Sequence, residues 1–510
     1  MIRAIRKNAA FALAMSFLLS GANVASANSD DRTHGELYDR YLQQLTDQQG
    51  YPGSPAVVWK TRPDTKRQIA QAASTEKPKL PKPLIPITKD FKLENGLRVI
   101  VSEDHSVPVA SFVLIYDVGA RDEKKTKSGF AHLFEHMMFE GSDNVPKGAF
   151  FKHVQASGGQ LNASTHADFT DYYEKLPSNQ IELAFWLESD RMRSLKVTEE
   201  NFKNQLDTVK EEKRLRIDNQ PYMPAALKTE ETIFDNWANA HPVIGSTEDL
   251  EGSTVADVKQ FFDTYYAPNN ATIAVVGDVK SDEIEELAKK YFGSIPSQKP
   301  PERPNLDEPK QEKAKYLKIE DNQAKMPAFW MAWKAPQRRD KDSFTLNMIQ
   351  SILTGGASSR LYQRLVKDDQ VALKIQSSYE ERRGPSEFDI FCVLKKSDAE
   401  TVRKIILEEL QKLKDTPVSA SELEKAKNKT LASFFSSSSY SSLQRSLGRG
   451  EILAQYASFY GDPTLVDQDV EAYLNVTADD VQALAKKIFT PEGITICDVV
   501  PGTAKPKAEG

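Results

Sequence analysis

The sequence predicts an α+β fold made of two homologous domains that are related by an internal duplication. Residues 257–268 match residues 480–491, and the strand-like residues 271–276 match residues 494–499. The offset is 223 residues in both cases, without a gap, and each copy reads as a helix, a proline turn and a strand. A proline-rich break at 297–304 separates halves of similar size.

The halves also begin alike, because the apolar run 110–118 before Arg121 resembles the run 328–333 before Arg339, at an offset of 218 residues. We therefore expect two domains joined by a linker and preceded by a polar, Pro/Lys-rich extension. The expected segments are a signal peptide 1–27, the extension and connector 28–88, the first domain 89–297, the linker 298–317 and the second domain 318–510.

The first residues have the pattern of a secretory signal. Residues 1–7 carry positive charge, residues 9–19 are apolar, and the small residues 24–27 suggest cleavage after Ala27. An uncleaved anchor is the alternative, but the apolar run is shorter than the ~20 residues that a membrane span needs. We expect export to the periplasm or beyond, with no transmembrane span after signal removal.

Composition argues against nucleic acid as a partner and leaves two possible states for the cysteines. The chain carries 67 basic and 73 acidic residues, a net charge of −6, and no dense basic stripe with interleaved aromatic residues, so nucleic acid is not an expected partner. The two cysteines, Cys392 and Cys497, lie in strand-like runs. They could form a disulfide or remain buried free thiols.

Residues 132–136 read His-Leu-Phe-Glu-His and predict half of a metal site. On a helix, His132 and His136 stand one turn apart on the same face, with Glu135 beside them, so two imidazoles can converge on one ion. With 7 His in the chain, chance would give this pattern in roughly one in a hundred such sequences. The alternative is a pair of ordinary helix histidines. The second half lacks the pattern.

A hydrolytic zinc ion needs three protein ligands and one open position, so a third ligand must come from elsewhere in the chain. The strongly helical stretch 201–216 offers two adjacent candidates, Glu211 and Glu212. Neighbouring helix positions differ by about 100°, so only one of the two can face the metal.

The motif resembles that of the pitrilysin-type, or inverzincin, metallopeptidases, which include bacterial two-domain members and the mitochondrial processing peptidase subunits. That family has H-x-x-E-H and a glutamate ligand about 75 residues later, and this spacing selects Glu212. Residues 158–177 and 355–365 also resemble family segments, so the resemblance covers about 90–500. It implies two α/β-roll domains, each an antiparallel-rich sheet with helices packed on it.

The resemblance further implies that His132, His136 and Glu212 hold one Zn²⁺ per chain and that Glu135 is the general base. The function implied is that of a zinc-dependent endopeptidase acting on peptides or unfolded protein segments. The alternative is a non-catalytic peptide-binding or scaffold subunit of a heteromeric peptidase. Its support is Gln205, which stands where family members often carry a second glutamate, seven residues before the ligand.

Substrate binding is expected at Asn162 and Ala163, where small and polar residues alternate after Gly159 and a peptide could approach an exposed strand. The alternative is an ordinary protected edge strand. The resemblance offers Arg360 and Tyr379 as second-domain residues that reach the substrate. It also implies a chamber of four such domains, and hence a homodimer or a heterodimer with a zinc-less homologue.

Overall fold

The computed structural model describes residues 83–395, 397–436 and 442–502. The expected signal peptide and nearly all of the polar extension lie outside these residues. Among the described residues, no helix combines the length and the apolar character that crossing a membrane requires.

Eleven strands form two sheets within the described residues, and the sheets occupy the two halves of the chain. The first sheet has six strands and the second has five. The strands are β1 (Lys89–Lys92), β2 (Arg98–Glu103), β3 (Val109–Tyr116), β4 (Gln160–Thr165), β5 (Thr170–Pro177), β6 (Ala271–Gly277), β7 (Lys315–Asp321), β8 (Ala328–Ala335), β9 (Ala372–Glu380), β10 (Ser386–Leu394) and β11 (Ile494–Pro501).

Helices precede and follow the strands in both halves. Those of the first half are α1 (Phe130–Met137), α2 (Ala149–Ala156), α3 (Ile181–Ser194), α4 (Glu199–Lys213), α5 (Met223–Ile233), α6 (Trp237–Ala240), α7 (Thr247–Glu251), α8 (Val255–Tyr265) and α9 (Ser281–Phe292). Those of the second half are α10 (Lys341–Thr354), α11 (Ala399–Asp415), α12 (Ala420–Phe434), α13 (Ser446–Tyr460), α14 (Val466–Asn475) and α15 (Ala478–Ile488). Short 3₁₀ turns lie at Ala120–Asp122, Ser178–Gln180, Pro268–Asn270 and Pro463–Leu465, and π-helical turns at Arg214–Asp218 and Tyr362–Asp368.

The two sheets share one topology. The strand order is β1-β2-β6-β3-β5-β4 in the first sheet and β7-β11-β8-β10-β9 in the second. Without β1 the two orders correspond strand for strand. In each sheet one pair is parallel, β2 with β6 and β7 with β11, and the remaining pairs are antiparallel. The predicted α+β fold with two similar domains is confirmed.

The repeat extends to the side chains that begin corresponding helices. Thr254 caps α8 and exchanges hydrogen bonds with Asp257, and Thr477 and Asp480 do the same for α15. These reciprocal caps satisfy main-chain N–H groups that a helix start leaves unpaired. The capping pairs keep the 223-residue offset of the sequence repeat.

In each half, one helix packs on the sheet of the other half. Helix α5 packs on β7, β8 and β11 of the second sheet, whereas α13 packs on β3 and β6 of the first. Ala225 of α5 is buried with Trp330, and Leu453 of α13 is buried with Val113. Both faces of each sheet are thereby covered, and the described residues belong to one compact unit. The boundaries expected at 297 and 318 stay a prediction.

The cysteines are buried free thiols. Cys392 pairs with Phe329 and Cys497 pairs with Trp330, which are adjacent residues of β8. Because neighbouring residues of a strand face opposite sides of a sheet, the two thiols lie on opposite faces and cannot bond.

Candidate metal site

Helix α1 carries the H-x-x-E-H residues and begins where two glycines meet. Gly129 precedes the helix with φ +86°, and a Cβ atom on Gly245 would lie only 2.4 Å from the Cα of Gly129. The buried carboxylate of Glu123 accepts hydrogen bonds from the main-chain N–H groups of Gly129, at 2.8 Å, and Ala131, at 2.7 Å. A carboxylate at this end also complements the helix dipole, so the start of α1 is fixed at a defined place.

The apolar face of α1 fixes the direction in which its histidines point. Phe130, Leu133, Phe134 and Met137 are buried in the core of the first half. His132 and His136, four residues apart, lie on another face, with ring centroids 4.9 Å apart. The sequence thus turns both imidazoles toward α4, which packs against α1.

The third donor of the cluster is Glu212, near the end of α4. It follows the buried Val209 by three residues, which puts both on the face toward α1. Glu212 Oε2 lies 3.2 Å from His136 Nε2 and 3.8 Å from His132 Nε2. Its neighbour Glu211 is exposed and pairs with Arg214. Of the two glutamates that the sequence offered, the structure brings Glu212 to the histidines.

These three residues fit a zinc ion. One potential ligand atom from each residue lies within 4.8 Å of the other two. Among the described residues, this is the group of His, Cys, Asp or Glu side chains placed to bind a metal ion. The edge of a tetrahedron around zinc, with ligand distances of about 2.0–2.1 Å, is about 3.3 Å long. The distances from Glu212, 3.2 and 3.8 Å, lie on either side of this value. A set of two imidazoles and one carboxylate is usual for catalytic zinc.

Burial and mutual charge set the pKa values of the three residues. Burial and the neighbouring His136 lower the pKa of His132 to about 4. Burial opposes the charge on His136, but the hydrogen bond with Glu212 and the charges of Glu135 and Glu212 raise its pKa overall. Burial likewise opposes ionisation of Glu212, yet the two histidines lower its pKa to about 2. Glu212 is therefore an ionised carboxylate, ready to bind a cation.

Glu135 lies beside the cluster without belonging to it. Its Oε2 accepts a hydrogen bond of 2.7 Å from the hydroxyl of Thr165, the last residue of β4. Burial raises the pKa of Glu135, against the opposing effects of His136 and Thr165. A carboxylate that is held in place and has a raised pKa is suited to accept a proton and to release it again.

The substrate-binding residues expected from the sequence fall in two places. Asn162 and Ala163 lie on β4, which ends the first sheet. Ala163 is buried in the core that contains α1, and Asn162 is exposed on the other side of the strand. In the second half, the Arg360 guanidinium donates two hydrogen bonds to Glu422, at 2.8 and 2.9 Å, and Tyr379 donates one to the carbonyl of Pro336.

Several residues around the site were not singled out from the sequence. They are Glu123, which caps α1; His241, whose Nε2 lies 3.1 Å from Glu123; Thr165, which holds Glu135; and Glu140, which accepts a 2.6 Å hydrogen bond from Gln205. The helix-capping role of Glu123 had one signal, a carboxylate shortly before Gly129 at the expected helix start.

Two family models match successive parts of the chain, and the border between the two matches, residues 238–252, lies within the first half. The model of the insulinase family, peptidase family M16, matches residues 98–237, and that of the peptidase M16 inactive domain matches residues 253–430. The second match includes most of the described half that lacks the H-x-x-E-H motif.

Two named relatives and one solved structure are similar to most of the chain. The chain is 30% identical to the zinc protease PqqE of Helicobacter pylori over 79% of its own length and 91% of the relative's. It is 26% identical to a probable mitochondrial-processing peptidase subunit beta of Arabidopsis thaliana, over 68% of this chain and 67% of that one. A crystal structure of a protease from Helicobacter pylori superimposes with a TM-score of 0.77 at 29% identity, over 82% of this chain and all of the other. The chain belongs to the pitrilysin-type peptidase family M16.

Proposed function

We propose that the protein is a zinc-dependent endopeptidase that hydrolyses peptides or unfolded protein segments. The observation that carries the proposal is the convergence of His132, His136 and Glu212, with their ligand atoms within 4.8 Å, next to a carboxylate outside the cluster. The similarity to the zinc protease PqqE supports it.

In this proposal His132, His136 and Glu212 hold one zinc ion. Bound zinc would activate a water molecule and polarise the peptide carbonyl. Glu135 takes the proton of the attacking water and later gives it to the leaving amine. Thr165 keeps the Glu135 carboxylate directed at the site, and the second oxygen of Glu212 is held by Arg216 at 2.7 Å.

The edge of β4 is the proposed substrate platform. Among the described strands β4 pairs with β5 alone, so its other edge is open to a peptide in extended conformation. The strand ends at Thr165, and an added peptide would therefore run past Glu135. An extended, unfolded segment suits this edge better than a folded domain. To bind the substrate, Arg360 would have to release Glu422, and Tyr379 would have to release the carbonyl of Pro336.

Two further features belong to the proposal. We infer that the protein is exported to the periplasm or beyond, on the basis of the signal pattern in residues 1–27. We also infer that two chains, or one chain and a zinc-less homologue, associate to enclose the substrate, because the described chain supplies two of the four domains expected of such a chamber.

A second candidate function is a peptide-binding subunit without catalysis. Gln205, which donates to Glu140 at 2.6 Å, favours it, because an amide cannot act as a base at the position where relatives often carry glutamate. The intact set of His132, Glu135 and His136 favours the peptidase.

Metal analysis and peptide cleavage distinguish the candidates. Purified protein should contain about one zinc per chain and cleave an unstructured fluorogenic peptide; a chelator should stop cleavage and added zinc restore it. His132→Ala should lose the metal, whereas His153→Ala, which removes an exposed helical histidine outside the cluster, should keep it. Zinc-loaded protein that binds the peptide without cleaving it would favour the second candidate, and wild-type protein unable to bind zinc would contradict the metal site.

A further inference from the structure

The turn between β9 and β10 reaches from the second half into the first. The main-chain N–H of Arg383 donates to Asp168 Oδ2 at 2.7 Å, and its guanidinium donates to the carbonyl of Asp168 at 2.9 Å. The same guanidinium pairs with Asp117 at 2.6 Å. It lies over the ring of Phe459, 4.4 Å from the centroid. Arg383 of the second half thus bonds both the side chain and the main chain of Asp168.

Asp168 lies in the β4–β5 turn, residues 166–169, which the first half also holds. The buried guanidinium of Arg121 donates to Asp168 Oδ1 at 3.0 Å. The main-chain N–H groups of Ala120 and Arg121 donate to the carbonyls of His166 and Ala167, at 3.0 and 2.9 Å. Gly384 leaves room for this arrangement, because a Cβ atom there would lie 3.1 Å from the Arg121 guanidinium.

This turn follows directly after Thr165, whose hydroxyl holds Glu135. The turn also bonds to the segment that ends at Glu123, the carboxylate that caps α1. A displacement of the turn would therefore move the hydrogen-bond donor of the proposed base and disturb the start of the helix that carries it. Among the described residues, the hydrogen bonds and the ion pair of Arg383 are with Asp168 and Asp117, and none is with Glu212 on α4.

We propose that Arg383, in the half without metal ligands, is a positioning residue that fixes the β4–β5 turn and, through Thr165, orients Glu135. This inference rests on the proposed peptidase function for its effect on catalysis. It gives the second half a role at the site that is independent of enclosing the substrate. Small misplacements of reacting groups are costly, so the expected effect is on the catalytic step.

The structural consequence can be measured without activity. Hydrogen exchange, followed by mass spectrometry, should become faster in peptides covering residues 164–171 and 119–131 of Arg383→Gln than in wild type. The matched control is Arg364→Gln, which removes an exposed arginine paired with Asp369 in the same half and should leave both regions unchanged. Unchanged exchange in Arg383→Gln would overturn the proposal.

The catalytic consequence is tested with unstructured peptide and zinc-loaded protein. Arg383→Gln should keep about one zinc per chain and its KM, while kcat falls by about tenfold or more. Arg383→Lys, which keeps the charge and is the variant to use if Arg383→Gln fails to fold, should fall between it and wild type. Combining Arg383→Gln with Thr165→Val should be no worse than Thr165→Val alone, because both act on one carboxylate.

Multiplicative losses in the double variant, or an unchanged kcat in Arg383→Gln, would overturn the proposal while leaving the peptidase function intact. Wild-type protein that does not cleave would contradict the peptidase function, and the exchange experiment would then decide whether Arg383 holds the turn.

Discussion

The side-chain amide of Gln205 donates a hydrogen bond of 2.6 Å to the buried carboxylate of Glu140. The other oxygen of Glu140 forms an ion pair with Lys147. The carboxylate of this pair therefore comes from the segment after α1, and α4 supplies the neutral partner.

Introducing at position 205 the glutamate that the family resemblance suggests should consequently be unfavourable. Gln205→Glu would place two carboxylates in contact with Lys147 as their shared cation, and we expect the free energy of unfolding at pH 7 to fall by about 1–2 kcal/mol. Gln205→Met, which adds no charge, is the control for the lost hydrogen bond. Urea unfolding measures both. A Gln205→Glu variant that is as stable as wild type and cleaves faster would contradict this interpretation of the pair.

The adjacent glutamates of α4 allow a closely matched test of the third ligand. Glu212→Gln should reduce the zinc content to near zero, because the carboxylate 3.2 Å from His136 is replaced by a neutral amide. Glu211→Gln removes the same charge one residue away, where the side chain is exposed and paired with Arg214, and should retain about one zinc per chain. Inductively coupled plasma analysis of dialysed protein provides the readout. Equal zinc content in the two variants would argue against Glu212 as a ligand.

The packing of α13, a helix of the second half, on the first sheet should affect the stability of the protein in acid. Arg449 of α13 pairs with Asp104, which follows β2, and hydrogen bonds from Ser106 and Arg449 lower the pKa of Asp104 from 3.8 to about 2. A folded-state pKa below the unfolded value stabilises the fold above pH 3.8, and this stabilisation is lost as the pH falls toward 2.

We therefore expect Arg449→Met to lower the free energy of unfolding by about 0.5–1 kcal/mol at pH 6, since the pair is partly screened by water. The difference from wild type should shrink between pH 4 and pH 2. Urea titrations across this range measure it. A difference that grows on acidification would contradict the assignment of the pair.

The sequence predicts the repeated features of the fold well, and the contacts between halves poorly. The gap-free repeat around Thr254 and Thr477 comes from local signals, caps and apolar periodicity, that act within one helix. The i, i+4 spacing of His132 and His136 is local in the same way. The choice between Glu211 and Glu212 needed a family spacing, because both residues suit the same helix.

The contacts that hold the site in place depend on residues far apart in the chain. Arg383 and Asp168 are separated by 215 residues, and no periodicity links them. The apolar pattern of α5 predicts a helix but does not say which sheet it covers. Alternation along β4 likewise predicts an edge strand, yet the difference between the exposed Asn162 and the buried Ala163 appears only when α1 is packed on one side.

In the proposed function, a metal held by this chain acts together with Glu135. The most direct measurement is cleavage of an unstructured peptide by Glu135→Gln that has been shown to carry about one zinc per chain. Because Glu135 lies outside the cluster of ligand atoms, the variant should keep its zinc and its peptide binding and lose cleavage by at least a hundredfold. Cleavage at the wild-type rate by zinc-loaded Glu135→Gln would contradict the role of Glu135 as the base.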